Sequence, residues 1–208
     1  MSCFNDIQKA LIDCEPERTI SLVKTAVADN VPAGDILNKG LLAGMDVVGE
    51  RMENEEMFIP EVLTSANAMS ECVTILKPML GEEERGATKT VLMGTVQGDL
   101  HDIGKNLVSM MMESAGMEIH DVGVDVAPET FVEKIREIKP DILGLSALLT
   151  TTMPMVKDTV DAIVEAGIRD EVKILVGGAP LSQDFADEIG ADAFAPDANV
   201  AARVAKSL

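Results

Sequence analysis

The residues best placed to do chemistry lie in one short loop, Gly98-Asp99-Leu100-His101-Asp102-Ile103-Gly104-Lys105-Asn106. An imidazole that binds a metal needs its second nitrogen held by a carboxylate or carbonyl, which fixes the tautomer and raises basicity. Asp99, two residues before His101, is placed to supply that hold. Without a metal, the same loop reads as a solvated histidine in a turn. The loop makes a poor phosphate cradle, because it lacks the glycine density of G-x-G-x-x-G and carries acids where phosphate needs N–H donors. One histidine does not make a zinc site, which takes three or four protein ligands. A metal held by a single side chain must bring most of its coordination with it, which points to a macrocycle such as haem or corrin.

Two further loops bear on this one. Gly144-Leu145-Ser146-Ala147-Leu148-Leu149-Thr150-Thr151-Thr152 places hydroxyls where they can donate to ring nitrogens or to Asp99, or simply cap a helix. Val176-Gly177-Gly178-Ala179-Pro180 removes side chains where something large and flat must touch the backbone, or else it is a plain turn.

The elements that must position these loops change character near residue 85. Before it, Leu22, Val23, Val27, Ile36, Leu37, Leu41, Met45 and Val48 recur at helical spacing. Pro32 and Pro60 suit helix openings, where the missing N–H costs nothing. From residue 61 onwards Val62, Leu63, Ala66, Met69, Val73 and Leu76 form one stripe. The expectation is a domain over 1–80 of about four helices packed as a bundle. Residues 81–89 are polar, punctuated by Gly81 and Gly86, and read as a linker and hinge. From 90 to 208, short apolar runs at 90–96, 118–122, 142–146, 173–176 and 191–195 alternate with helical patterns at 104–115, 128–138, 153–166, 181–189 and 200–206. Five strands alternating with helices predict a doubly wound parallel sheet of flavodoxin-like, Rossmann-type order 2-1-3-4-5. Ligands then bind outside the carboxyl ends of the strands, where all three loops emerge.

Composition excludes several partners. A net charge of −19 argues against nucleic acid and anionic membrane surfaces, which need a basic face. The absence of Trp and Tyr removes the aromatic platforms on which bases stack. Cys3, Cys14 and Cys72 lack metal or redox spacing and suit a reducing cytosol. No 18-residue apolar stretch free of charge is present, so no membrane span is expected. His120 falls in a strand and is read as structural.

Asp99-x-His101-x-x-Gly104, Ser146-x-Leu148 and Gly177-Gly178 together resemble the cobalamin-binding signature shared by methionine synthase and the corrinoid proteins of methyltransferase systems. The resemblance runs from about residue 88 to the end. Gly44-Met45-Asp46-Val47-Val48-Gly49-Glu50-Arg51-Met52, with Met57-Phe58-Ile59-Pro60-Glu61, Ala66 and Met69, resembles the helical cap of the methyl-carrying members. The resemblance implies a base-off, His-on cobalamin or related corrinoid, its cobalt bound from below by His101. It implies a ligand relay of Asp99, His101 and Ser146. Ser146, Leu148, Thr150, Gly177, Gly178 and Ala198 would line the channel of the displaced nucleotide tail. Gly98, Leu100, Asp102, Ile103 and Gly104 would contact the corrin. Met52 and Ile59 would cover the upper face, and Met52 departs from the Phe common at its position.

The implied function is a cytoplasmic methyl carrier without catalysis of its own. Cob(I)amide would accept a methyl group from a donor on a substrate-specific methyltransferase. The donor would be a methoxylated aromatic, a methylamine, a betaine or methanol. Methyl-cob(III)amide would pass the group to an acceptor methyltransferase using tetrahydrofolate or a thiol, and a reductive activase is a third partner. The other readings are the cobalamin subunit of an adenosylcobalamin mutase, a cobalamin-dependent sensor, and a flavodoxin-like domain without metal.

Overall fold

The computed structural model describes residues 3–80 and 89–208. All of the expected linker except Lys89, including the glycine hinge, lies outside the described residues. The chain divides into two compact units, one comprising Met1–Thr88 with Ser114–Gly116, the other Lys89–Glu113 with Met117–Leu208.

The first unit is helical. α1 (Cys3–Ile12) and α2 (Pro16–Ala28) precede α3 (Ala33–Asp35). α3 continues through a π-helical segment, Ile36–Leu42, into α4 (Ala43–Glu53), and α5 (Ile59–Leu76) follows. Counting the run from 33 to 53 as one rod gives the four expected helices. α1 crosses that rod at its small residues. A Cβ on Gly40 would lie 3.3 Å from Ile7, and one on Gly44 would lie 3.1 Å from Leu11, so larger residues would push the helices apart.

α5 is turned slightly from its expected stripe. Val62, Ser65, Ala66, Met69, Cys72 and Leu76 are buried, while Leu63 and Val73 are half-buried. Ser65 tolerates the interior because its hydroxyl donates to the Leu11 carbonyl (2.7 Å), which lies in the last turn of α1 and also accepts the Cys14 N–H (3.2 Å). Burial pushes the Cys72 thiol up to about 12, so it is an inert core residue.

The second unit alternates strand and helix. Its strands are β1 (Thr90–Thr95), β2 (Glu118–Asp121), β3 (Ile142–Ser146), β4 (Lys173–Gly177) and β5 (Ala193–Ala195). Between and after them run α6 (Ile103–Ser114), α7 (Pro128–Ile138), α8 (Met153–Glu165), α9 (Gln183–Ile189) and α10 (Ala198–Ser207). All pairings are parallel, in the order β2-β1-β3-β4-β5. Leu92, Leu143, Leu145, Ile174 and Val176 pack with Phe131, Ile135, Val156, Val160, Ile163, Ala186 and Ile189 in one core. Each such side chain contributes about 1.5–3 kcal/mol by leaving water.

The register fixes where the site stands. Thr95, Ser146, Gly177 and Ala195 align as neighbours across four strands, so the chain leaves the sheet at one edge four times in succession. The three loops singled out by residue type emerge from that edge.

Candidate functional site

Asp99 organises the site. It is fully buried, and its two oxygens divide their work. Oδ1 accepts from the His101 backbone N–H (3.1 Å) and pairs with His101 Nδ1 (2.6 Å). Oδ2 accepts from the Leu148 N–H (2.7 Å), the Leu149 N–H (3.3 Å) and the Thr152 hydroxyl (2.7 Å). Burial opposes the charge, but these hydrogen bonds outweigh it and hold Asp99 well below the usual carboxylate range. A carboxylate only accepts, so His101 Nδ1 donates to it, and in the neutral imidazole this tautomer leaves the lone pair on Nε2. The His101 side chain is 49% exposed while its carboxylate partner is 0% exposed, so one face is anchored and the rest is presented.

The loop is held by the surrounding chain. Thr95 Oγ1 donates to the His101 carbonyl (3.0 Å). Gly98, at φ +81°, donates its N–H to Asp125 (2.7 Å), and Asp125 N–H donates back to the Asp99 carbonyl (3.0 Å). Beyond the end of β4, Gly178 sits at φ +136°, and a Cβ there would lie 1.8 Å from the Ala147 carbonyl oxygen. Only glycine lets the 147–149 turn approach this closely, and that turn supplies two of the N–H groups on Asp99.

The relay differs from the expected one. Among the described residues Ser146 is not a partner of Asp99; the hydroxyl that reaches it belongs to Thr152, which is buried at the N-cap of α8. Ser146 ends β3, and its carbonyl accepts from the Val96 N–H (3.1 Å). The triple threonine carried the signal, since of the three only Thr152 is buried.

Leu100 (71% exposed) and Ile103 (85%), beside His101 in sequence, and Leu148 (44%) and Leu149 (40%), on the loop whose N–H groups bind Asp99, are large apolar side chains left open. Exposed apolar groups gathered around a directed imidazole mark a binding surface for a broad apolar ligand carrying a metal. A corrin, with cobalt at the centre of a flat macrocycle, fits that surface. A Cβ on Gly104, in the first turn of α6, would meet nothing within 4 Å, and Asp102 is exposed. Thr150 is exposed, Gly177 ends β4, and Ala198 is buried at the start of α10, all at the same edge of the sheet. Met52 and Ile59 belong to the helical unit, Met52 half-buried in α4 and Ile59 48% exposed at the start of α5 beside an exposed Phe58. His120, by contrast, stands on β2 with Nε2 3.6 Å from Glu118.

Residues 89–205 match the family described as B12 binding domain, and residues 3–77 match a second family of the same description. The chain therefore belongs to the B12-binding corrinoid proteins, and a corrinoid is its cofactor. Its relatives are the corrinoid proteins of methyltransferase systems. The dimethylamine corrinoid protein of Methanosarcina barkeri is 43% identical over 206 residues, covering 99% of this chain and 96% of that one. A cobalamin-binding protein from Desulfitobacterium hafniense DCB-2, solved as a crystal structure, superposes with a TM-score of 0.83 at 30% identity, covering 98% of this chain and 97% of its own. The methanol:cobalamin methyltransferase complex MtaBC of Methanosarcina barkeri contains a chain that superposes with a TM-score of 0.84 at 30% identity, covering 99% of this chain and 78% of that one. Among the described residues no helix is long and apolar enough to cross a membrane.

Proposed function

We propose that this protein is a methyl carrier whose corrinoid binds base-off, with His101 Nε2 as the lower ligand to cobalt. The observation that carries this reading is the buried Asp99, which holds Nδ1 of His101 at 2.6 Å and so directs Nε2 outward among exposed apolar side chains. When bound, the corrinoid supplies a cobalt centre that exchanges a methyl group between two partner enzymes. The chain's own residues supply the rest. His101 would hold the cobalt through Nε2, and Asp99 fixes its tautomer. Thr152 and the Leu148 and Leu149 N–H groups keep Asp99 ionised. The backbone beside Gly177 and Gly178, with Ser146, Leu148, Thr150 and Ala198, forms the edge where the displaced nucleotide enters.

One partner is a substrate-specific methyltransferase and the other an acceptor methyltransferase, with a reductive activase to restore the reduced cofactor, all in the cytoplasm. Relatives named for dimethylamine and for methanol share this fold, which supports leaving donor choice to the partner enzyme. Methylamines, methanol, betaines and methoxylated aromatics belong to that donor class, and a folate or a thiol accepts the methyl group.

The test is His101→Ala in protein reconstituted with hydroxocobalamin. With 15N-histidine-labelled protein, the cob(II) state of the parent should show a nitrogen doublet in electron paramagnetic resonance, and the variant should lose it and transfer methyl groups more slowly. An unchanged spectrum and unchanged transfer rate in the variant would remove His101 as the ligand.

A further inference from the structure

We infer that Lys105, Asp121 and Asn106 are positioning residues for His101, forming a latch, built on a buried lysine, that ties the histidine loop to the end of edge strand β2. The inference rests on the reading of His101 as the cobalt ligand. Lys105 lies in the first turn of α6, directly after the loop. Its neighbours Gly104 and Asn106 are exposed, yet its own side chain is only 2% exposed. A buried ammonium is costly unless it is paired. Here Nζ donates to Asp121 at the end of β2 and to Asn106 Oδ1 (2.8 Å). Asn106 Nδ2 donates in turn to Asp102 Oδ2 (3.1 Å), and Asp102 is the residue next to His101. The second oxygen of Asp121 accepts the Gly123 N–H (2.8 Å), which fixes the turn that also carries Asp125.

The loop is thus tied at both ends to one turn. Gly98 is held by Asp125, and Asp102 is held through Asn106 and Lys105 by Asp121. Asp99 sets the orientation of the imidazole, and the latch sets where the loop as a whole stands over the sheet. A buried ammonium held by a partly exposed carboxylate on β2 and by the Asn106 amide oxygen ties the start of α6 to the end of β2. Outer groups of this kind act on metal affinity through the geometry of the ligand they support.

The experiment uses the full-length chain labelled with 15N-histidine, reconstituted with hydroxocobalamin and reduced to the cob(II) state. A doublet in place of the 14N triplet marks the protein's own histidine on cobalt. In Lys105→Met the ratio of histidine-bound to histidine-free signal should fall about 10-fold or more. The double variant Lys105→Met with Asp121→Leu replaces the pair by apolar groups and should melt close to the parent, while still losing the doublet. A double variant that keeps the parent's ratio overturns the latch and leaves the ligand assignment standing. If the double variant does not fold, Asp121→Asn, which keeps the side-chain size, decides by the same ratio. A doublet that persists in His101→Ala instead removes the ligand reading on which the latch depends.

Discussion

At the amino end of the sheet, Asp192 gathers the Ile174 N–H (2.8 Å), Arg169 (2.7 Å) and Lys173 (2.9 Å), and at the carboxyl end Asp99 gathers two leucine N–H groups, a threonine hydroxyl and an imidazole. Both carboxylates are held below their usual range against the opposing effect of burial. They differ in their donors. Asp192 is met by two cations, so its charge is neutralised on the spot and the group staples β4 to β5. Asp99 is met only by neutral donors and one imidazole, so its field acts on His101. The same chemical group is a closed structural tie at one end of the sheet and the anchor of an exposed imidazole at the other.

The largest expected effect comes from removing the anchor of His101. Asp99→Ala strands several buried donors and should cost on the order of 3 kcal/mol in urea unfolding. It should also weaken hydroxocobalamin binding about 10- to 100-fold in equilibrium titrations. A loss of stability with affinity equal to the parent would show that Asp99 is no more than a second staple. Next comes Gly178→Ala, which drives a Cβ against the Ala147 carbonyl at a φ that alanine rarely adopts. A loss of about 2–3 kcal/mol is expected, and because the 147–149 turn moves, cofactor affinity should fall with it.

At the other end, Asp192→Asn should cost about 2 kcal/mol at neutral pH and leave cofactor affinity unchanged. A depressed folded-state pKa stabilises the fold above the ordinary value of 3.8, and that stabilisation is lost as the pH falls below it. Melting curves of parent and variant should therefore converge in acid; a constant gap would show that the charge of Asp192 is not what stabilises. Thr152→Val removes one donor of several and should cost about 1 kcal/mol, with a smaller loss of affinity than Asp99→Ala. The smallest effect belongs to His120→Ala, whose partner Glu118 is 64% exposed. Stability should change by no more than about 0.5 kcal/mol, and the cob(II) spectrum should not change.

Much of this architecture is legible in residue order. Helical spacing up to Leu76 and alternating apolar runs from Thr90 report local burial, which is what periodicity measures, and they mark out the helical part and the alternation of strands and helices after it. Asp99 and His101 are two residues apart, so their pairing is a local event that the sequence itself carries. The glycine pair at 177 and 178 is visible too, although its partner, the Ala147 carbonyl, is not.

The rest depended on which loops the sheet brings together. Ser146 and Thr152 carry the same chemistry in one loop, and only the turn after β3 decides which hydroxyl meets a carboxylate 53 residues earlier in the chain. Lys105 looks like an ordinary helix-surface lysine until the pairing of β1 with β2 places Asp121 against it, sixteen residues on. Residue types and spacing determined the fold class and the pairing of His101 with Asp99, because both rest on contacts close in sequence. Tertiary structure decided the supporting partners, because a hydrogen bond between distant loops exists only once strand order and register have put them side by side.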